Sequence, residues 1–218
     1  MQKDFLGVYI HVPFCKSKCP YCDFYSVPFS ENLIEKYVKT VCDELFRYSL
    51  QTDKTVDTIY FGGGTPGLLS TKNISKILEN IQKNFKISNP EITLEINPAD
   101  CDIQYFREIK NIGVNRISFG VQSFEDSQLK ILGRRHTVKD SVKSFENAKS
   151  AGINNISFDF MLGIPGQNFK GIDKFFDFCE TNFVPHISAY ILKIEKGTPY
   201  FYNKKNLVFP TDDQAADM

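Results

Sequence analysis

Short apolar runs alternate along the chain with longer stretches in which apolar residues recur every three to four positions. The short runs are rich in Val, Ile, Phe and Tyr and are bounded by Gly, Pro and Asn, which is typical of β-strands. The predicted strands cover residues 7–12, 55–61, 91–96, 116–120, 155–161 and 186–192. This alternation indicates βαβ units around a parallel sheet.

The intervening stretches have the periodicity of amphipathic helices. Residues 33–50 and 74–85 each place apolar side chains on one face, as helices that cover a sheet do. A third helix is predicted after Thr137, a suitable N-cap, and it ends at Gly152, whose missing Cβ suits a left-handed C-cap. Residues 169–180 predict a further helix, and we interpret its Phe side chains as core packing.

The order of these elements predicts the fold class. Parallel strands need right-handed crossovers, so six successive βα units are expected to curl into an open barrel with the helices outside. We therefore predict an α/β fold, a partial (β/α)6 parallel-stranded barrel that is truncated at the C-terminus. Residues 1–192 are expected to form the core domain, and residues 193–218, which show little periodicity, a linker or the start of a missing C-terminal domain.

The charge balance narrows the partners that we expect. Lys and Arg number 26 and Asp and Glu number 26, so no overall field attracts a phosphate backbone, and nucleic-acid binding is not expected. No window approaches the roughly 18 consecutive apolar residues of a transmembrane helix. The start of the chain also lacks the features of a signal peptide, so we predict a cytoplasmic protein.

The distribution of the cysteines favours metal ligation over a disulfide framework. Three of the six, Cys15, Cys19 and Cys22, fall within eight residues, whereas the others are scattered through predicted helices or helix starts. Three thiolates on one loop can hold three corners of a 4Fe–4S cluster and leave one iron open to another ligand. A zinc site would require a second pair of Cys or His, and unliganded core cysteines do not fit so polar a loop.

Polar or glycine-rich segments follow every predicted strand. Ligands bind at the carboxyl ends of the strands in such sheets, because loops and helix N-termini converge there. The segments contain the cysteine loop, the glycines of GGGTP, Glu95, Gln122 with Ser123, Asp159 with GIPGQ, and Tyr190. We therefore predict one site at this rim of the barrel.

The motifs carry a family resemblance. The spacing CxxxCxxC with an aromatic residue before the last cysteine resembles the signature of the radical S-adenosylmethionine (SAM) superfamily. The fuller set of motifs is similar to the family of oxygen-independent coproporphyrinogen III oxidase and its relative, the haem chaperone HemW. These motifs are YIHVPFCKSKCPYCDFYS, IYFGGGTP, LEINP, RISFGVQSF, LGRRHT and FDFMLGIPGQ, and the resemblance runs from about Tyr9 to Tyr190.

The resemblance implies a 4Fe–4S cluster on the three cysteines, with the amino and carboxylate groups of SAM on the open iron. One electron from the reduced cluster then splits the sulfonium of SAM, and no catalytic residue is assigned beyond the cluster. The SAM-binding residues implied by the motifs are Tyr9, Gly63, Gly64, Thr65, Glu95, Gln122, Arg134 and Asp159. Chemically, Arg134 can clamp a carboxylate, and the acidic and amide side chains can accept from amino and ribose groups.

Departures from the family pattern favour the HemW branch. The oxidase carries a further cysteine just after the third ligand and an N-terminal extension, whereas here Asp23 and Phe24 follow Cys22 and the first strand begins almost at Met1. The function that we expect is haem binding and delivery by a HemW-type protein, with haem or porphyrin and a reductant protein for the cluster as partners. The alternatives are an oxidase that decarboxylates coproporphyrinogen III and a non-catalytic iron–sulfur or zinc protein, so enzymatic activity stays open. His136 is interpreted as either a haem ligand, a proton donor or a structural residue.

Overall fold

A computed structural model of the chain describes residues 5–203 and 207–216. The strands are β1 (Phe5–Val12), β2 (Phe14–Cys15), β3 (Val27–Pro28), β4 (Thr55–Gly63), β5 (Lys86–Ile96), β6 (Arg116–Gln122), β7 (Asn155–Leu162) and β8 (His186–Ile191). The α-helices are α1 (Glu31–Ser49), α2 (Thr71–Asn84), α3 (Ile103–Asn111), α4 (Asp126–Ile131), α5 (Val138–Ser150), α6 (Phe169–Thr181), α7 (Pro199–Asn203) and α8 (Asp212–Ala216). A short 3-10 helix, Pro66–Leu68, follows β4.

Six strands form one parallel sheet in the order β1-β4-β5-β6-β7-β8. Apart from β2 and β3, which form a separate small sheet, the strands lie in the sheet in the same order as in the sequence. Each crossover therefore connects two neighbouring strands. The register places Tyr9 opposite Tyr60, Glu95 opposite Ser118, and Asp159 in β7 against β8. The predicted partial (β/α)6 barrel is therefore confirmed.

The core lies between the sheet and its covering helices. Side chains alternate along β1, so Ile10 and Val12 are buried towards the helices while Tyr9 lies on the other face. Only some of the Phe side chains of α6 are buried. Phe175 stacks on Phe160 with ring centroids 4.0 Å apart, whereas Phe176 stays partly exposed. The prediction of core packing is confirmed for the buried Phe side chains of α6, each of which contributes roughly 1.5–3 kcal/mol to the stability of the fold.

The helix-end signals in the sequence are confirmed where side chains cap the backbone. Thr137 caps α5 and forms a capping box with Asp140, which satisfies two N–H groups that have no partner in the first turn. Gly152 follows α5 with φ +83°, the left-handed conformation that glycine adopts without steric cost.

Several elements differ from the sequence prediction. β5 starts at Lys86 rather than at 91, because an irregularity around Asn89 (φ 44°) and Pro90 interrupts its pattern without ending the strand. α3 and α4 were not predicted, since each is short, at nine and six residues. The predicted linker contains α7 and α8, and α7 packs closely on the barrel. The domain boundary at 192 stays a prediction, and residues 1–4, 204–206, 217 and 218 lie outside the described residues.

The helices bear on membrane association. In the part of the chain that the structure describes, no helix combines the length and apolar character of a membrane span.

Candidate functional site

A cleft opens at the carboxyl ends of the parallel strands. It brings together residues from the cysteine loop, the glycine-rich turn after β4 and the ends of β5, β6 and β7. Among its lining residues are Cys15, Cys19, Cys22, Gly63, Gly64, Thr65, Glu95, Gln122, Arg134, Asp159 and Tyr190. Ten of the eleven residues that the sequence assigned to the cluster and to SAM therefore line one cleft, and Tyr9 does not.

The cysteine loop is closed by a small parallel ladder. β2 pairs with β3, and around them the N–H of Val27 donates to the carbonyl of Pro13 at 2.7 Å, and that of Phe29 to Cys15 at 3.0 Å. Inside the loop, the N–H of Cys22 donates to the carbonyl of Cys19 at 3.1 Å. These bonds hold the three cysteines on one compact turn, and all three are free thiols.

The glycine-rich turn lies against the first cysteine. A Cβ on Gly64 would lie 2.8 Å from the carbonyl oxygen of Phe14 and 3.0 Å from Cys15 Sγ, so only glycine fits there without displacement. Thr65 Oγ1 donates to Cys15 Sγ across 3.7 Å. The turn after β4 therefore contacts the cysteine loop directly.

Arg134 connects the cysteine loop to the ends of β5 and β6. Its Nη1 lies 3.7 Å from Cys19 Sγ, while its Nη2 donates to Asn97 Oδ1 at 2.5 Å and to the carbonyl of Gly120 at 2.8 Å. Asn97 in turn donates to Thr65 Oγ1 at 3.1 Å. The guanidinium is thus held by several acceptors at the edge of the cleft, with its Nη1 donating towards the cysteine sulfur.

Asn97 was missed by the sequence reasoning. It lies two positions after Glu95, and the LEINP motif includes it, so its position at a strand end was a usable signal. Two ion pairs were also missed, from Asp100 Oδ1 to Lys16 Nζ at 2.8 Å and to Arg135 Nη1 at 3.6 Å. The first pair joins the cysteine loop to the segment after β5, and the second joins the residue after Arg134 to the same carboxylate.

Two partly buried carboxyl groups lie in the cleft. Glu95 accepts from Tyr60 Oη at 2.8 Å and from the N–H of Gly63 at 3.1 Å, yet burial raises the pKa of its carboxyl. Asp159 accepts from Ser118 Oγ at 3.1 Å, and burial raises its pKa as well. Both environments disfavour the charged form, so a cationic ligand would relieve the cost of burying these carboxylates.

Gln122 projects into the cleft from an unusual backbone conformation. Its φ is +67°, a value in the left-handed region that is uncommon for residues other than glycine. Tyr190 Oη donates to its Oε1 at 2.5 Å. A residue stays in such a strained conformation when the surrounding structure holds it there, which is common at binding sites.

Tyr9 lies outside the cleft. Its side chain is 58% exposed, its ring stacks on Tyr60 with centroids 6.0 Å apart, and its Oη lies 3.3 Å from His11 Nδ1. It therefore lies beside the site, next to Tyr60, whose hydroxyl binds Glu95, and next to His11, whose ring lies against Gly63.

His136 is placed as a structural residue. It is 4% exposed, and its Nε2 lies 3.1 Å from the carbonyl oxygen of Val121. Burial and then the charge of Arg134 lower its pKa to about 4, so the ring is neutral at neutral pH. This geometry favours the hydrogen-bonded interpretation over that of a haem ligand.

The donor set fits an iron–sulfur cluster and SAM. Among the described residues, no three Cys, His, Asp or Glu side chains form a group that could hold a single metal ion. A cubane cluster does not need such convergence, because each thiolate binds a different iron. The glycine turn packs closely against Cys15, and the cleft adds one guanidinium, two carboxyls and the two side-chain amides of Asn97 and Gln122. These groups complement the carboxylate, amino and hydroxyl groups of SAM.

Comparisons with known proteins show what the chain is similar to. Residues 9–179 match the model of the Radical SAM superfamily. The chain is 38% identical over 218 residues to the haem chaperone HemW of Bacillus subtilis, covering 97% of this chain and 57% of that protein. It is 35% identical over 217 residues to HemW of Escherichia coli, covering 98% and 57%. The chain thus spans less than two thirds of the length of these curated relatives.

A solved structure shows the same fold. The chain superposes on coproporphyrinogen III oxidase (HemN) from Escherichia coli, a radical SAM enzyme, with a TM-score of 0.86 and 20% identity. The match covers 99% of this chain and 50% of that one. At 20% identity this similarity shows the barrel fold alone and does not identify a reaction.

Proposed function

Since the chain belongs to the radical SAM superfamily, in the coproporphyrinogen III oxidase-like family that includes HemW, we propose that it is the 4Fe–4S- and SAM-binding core of a HemW-type haem chaperone. The observation that carries the proposal is the single cleft lined by Cys15, Cys19 and Cys22 together with Arg134 and Glu95. Members of the superfamily use a 4Fe–4S cluster and SAM. When bound, these groups supply one-electron reductive cleavage of the SAM sulfonium.

The three cysteines are the proposed cluster ligands. Their thiols are free, they share one loop, and the loop is pinned at both ends by backbone hydrogen bonds. Thr65 and Arg134 donate towards Cys15 Sγ and Cys19 Sγ. Such donors stabilise negative charge on thiolate sulfur, which tunes the potential of a cluster.

The remaining cleft residues are the proposed SAM site. Arg134 binds the carboxylate, and its other hydrogen bonds fix the guanidinium before the ligand arrives. Glu95, Gln122 and Asp159 accept from the amino and ribose groups, and the turn at Gly63, Gly64 and Thr65 borders the methionyl part. Tyr9 is kept at the margin of this site, because its ring stacks on the tyrosine that holds Glu95.

Haem binding and delivery are proposed from the relatives that carry the name haem chaperone HemW. The absence of a cysteine at Asp23 and Phe24 separates the chain from the pattern of the oxidase and supports the same choice. A porphyrin-type ligand and an electron-donating protein are the corresponding partners.

Anaerobic reconstitution of the chain with iron and sulfide tests the proposal. We expect about four irons for each chain, 5′-deoxyadenosine when SAM and dithionite are added, and a haem absorbance band without turnover of coproporphyrinogen III. Cys22→Ser is expected to lose the cluster, whereas Cys42→Ser, in the middle of α1, keeps it. Bound zinc in place of iron would overturn the cluster assignment. Turnover of coproporphyrinogen III would replace the chaperone with the oxidase.

A further inference from the structure

Helix α7, beyond the last strand of the barrel, lies against the back of the cysteine loop. Its second residue, Tyr200, is only 5% exposed although the helix is five residues long. Phe209 packs on the ring of Tyr200 from the following segment, with centroids 6.1 Å apart. The residue is therefore held in a defined pocket by both the barrel and its own neighbours.

Tyr200 makes one hydrogen bond to the cysteine loop. Its N–H donates to the carbonyl oxygen of Pro20 at 3.0 Å, and its ring faces that of Tyr21 with centroids 6.3 Å apart. The N–H groups in the first turn of a helix have no partner within that helix, so this one is free to bind the loop. Pro20 and Tyr21 are the two residues between Cys19 and Cys22.

Tyr200 makes its second hydrogen bond to the end of α4. Its hydroxyl donates to the carbonyl oxygen of Ile131, the last residue of that helix. The other carbonyls of this turn are used by the backbone that follows, since the N–H of Arg134 donates to Leu129 at 2.8 Å. The hydroxyl thus binds a carbonyl at the C-terminal end of α4 that the helix itself does not use, and the backbone of Arg134 is bonded to the same helix end.

The two anchored segments also contact each other closely. A Cβ on Gly133 would lie 2.7 Å from Pro20 Cδ, so the turn before Arg134 and the cysteine loop pack backbone to ring. Tyr200 bonds to Pro20 on one side of this contact and to Ile131, two residues before Gly133, on the other side. A shift of Tyr200 would therefore change the distance between Cys19 and Arg134, which is 3.7 Å from Nη1 to Sγ.

We propose that Tyr200 is a positioning residue, which fixes the cysteine loop and the Arg134 turn in the mutual arrangement that holds the cluster and the carboxylate of SAM. The inference rests on the proposed function for its ligands, and on the two hydrogen bonds for its geometry. It assigns a role in the site to the segment for which the sequence predicted a linker or the start of a missing C-terminal domain.

Tyr200→Ala and Tyr200→Phe test this role in the full chain, with Tyr202→Ala as the matched control. Tyr202 belongs to the same helix and is 71% exposed. In the protein without iron, we expect Tyr200→Ala to raise the labelling rates of Cys19 and Cys22 by about fivefold, because it keeps the backbone N–H but loses the ring contact with Tyr21 as well as the hydrogen bond to Ile131. Labelled sites are identified by peptide mass mapping, and circular dichroism with denaturation midpoints checks that each variant is folded.

The reconstituted protein gives the second readout. Tyr200→Ala is expected to retain less iron and to lose its cluster faster in air than Tyr202→Ala does. Tyr200→Phe keeps the ring and the backbone N–H, so it should retain iron but bind SAM about fivefold more weakly, since only the bond to Ile131 is lost. A change in the electron paramagnetic resonance signal on SAM addition reports that binding.

The outcomes separate the two proposals. If the unaltered chain takes up iron and SAM but Tyr200→Ala matches Tyr202→Ala in labelling, iron retention and SAM affinity, the positioning role is wrong and the proposed function stands. If the unaltered chain takes up no iron while labelling still responds to Tyr200→Ala, the anchoring is real and the proposed cluster is wrong.

Discussion

Protonation of His136 should be a measurable part of the acid sensitivity of this protein. The ring is buried, and its pKa falls from 6.5 to about 4 because burial and the nearby Arg134 disfavour the charged form. In the unfolded chain the ring binds a proton at a higher pH than in the folded chain. Stability is therefore lost as the pH falls from about 6.5 to about 4.

The size of the effect follows from the shift. One pKa unit corresponds to about 1.4 kcal/mol, so the full shift of His136 corresponds to about 3 kcal/mol at pH values below both pKa values. Between pH 7 and pH 5 the loss should be about 2 kcal/mol. The carboxylates of Asp140 and Asp100 oppose the shift, and their effect is already included in its value.

Urea unfolding at pH 7 and pH 5, followed by circular dichroism, measures this loss. In His136→Gln, the amide N–H can still donate to the carbonyl of Val121 but cannot titrate, so about 2 kcal/mol of the pH dependence should disappear. Ser144→Ala is the control, since Ser144 Oγ accepts from the N–H of Ala99 at 3.1 Å and is not titratable. That variant should lose about 1 kcal/mol equally at both pH values.

Equal losses of stability between pH 7 and pH 5 in the unaltered chain and in His136→Gln would contradict this prediction. They would mean that His136 is protonated in the folded state near its ordinary pKa, and that the ring is more accessible to water than its position indicates. A titration of the ring followed by NMR would then show a midpoint well above pH 4.

Three further predictions concern the cleft. Asp159→Asn should raise the urea midpoint of the apo protein, and by more at pH 8 than at pH 4, because a carboxyl with a raised pKa destabilises the fold once it ionises. The same variant should weaken SAM binding, as measured by calorimetry. Arg134→Ala should weaken SAM binding by about tenfold or more while iron content stays unchanged, and an unchanged affinity would remove Arg134 from the site. Gly64→Ala should lower iron content on reconstitution because its Cβ meets Cys15 Sγ, whereas Gly166→Ala, with open space but φ +74°, should lose stability without losing iron.

The sequence predicted most of the scaffold because its signals are local. Period-two and period-3.6 patterns reflect which face of each element is buried, and six strands were found in the correct order. The parts that were missed have weak local signals. α4 is only six residues long, and the first half of β5, which was not predicted, contains Ser88, Asn89 and Pro90. Tertiary pairing with β4 keeps that segment in the sheet, and no pattern in its own residues shows this.

The candidate site divides in the same way. The loops of the site could be predicted from the sequence, because they all follow parallel strands and the carboxyl ends of such strands meet at one rim. Packing of distant segments, in contrast, places Tyr9 outside the cleft, links Thr65 to Arg134 through Asn97 and brings Tyr200 to the cysteine loop. These contacts join residues far apart in the chain, and their geometry depends on how the helices and loops pack, which no local periodicity encodes.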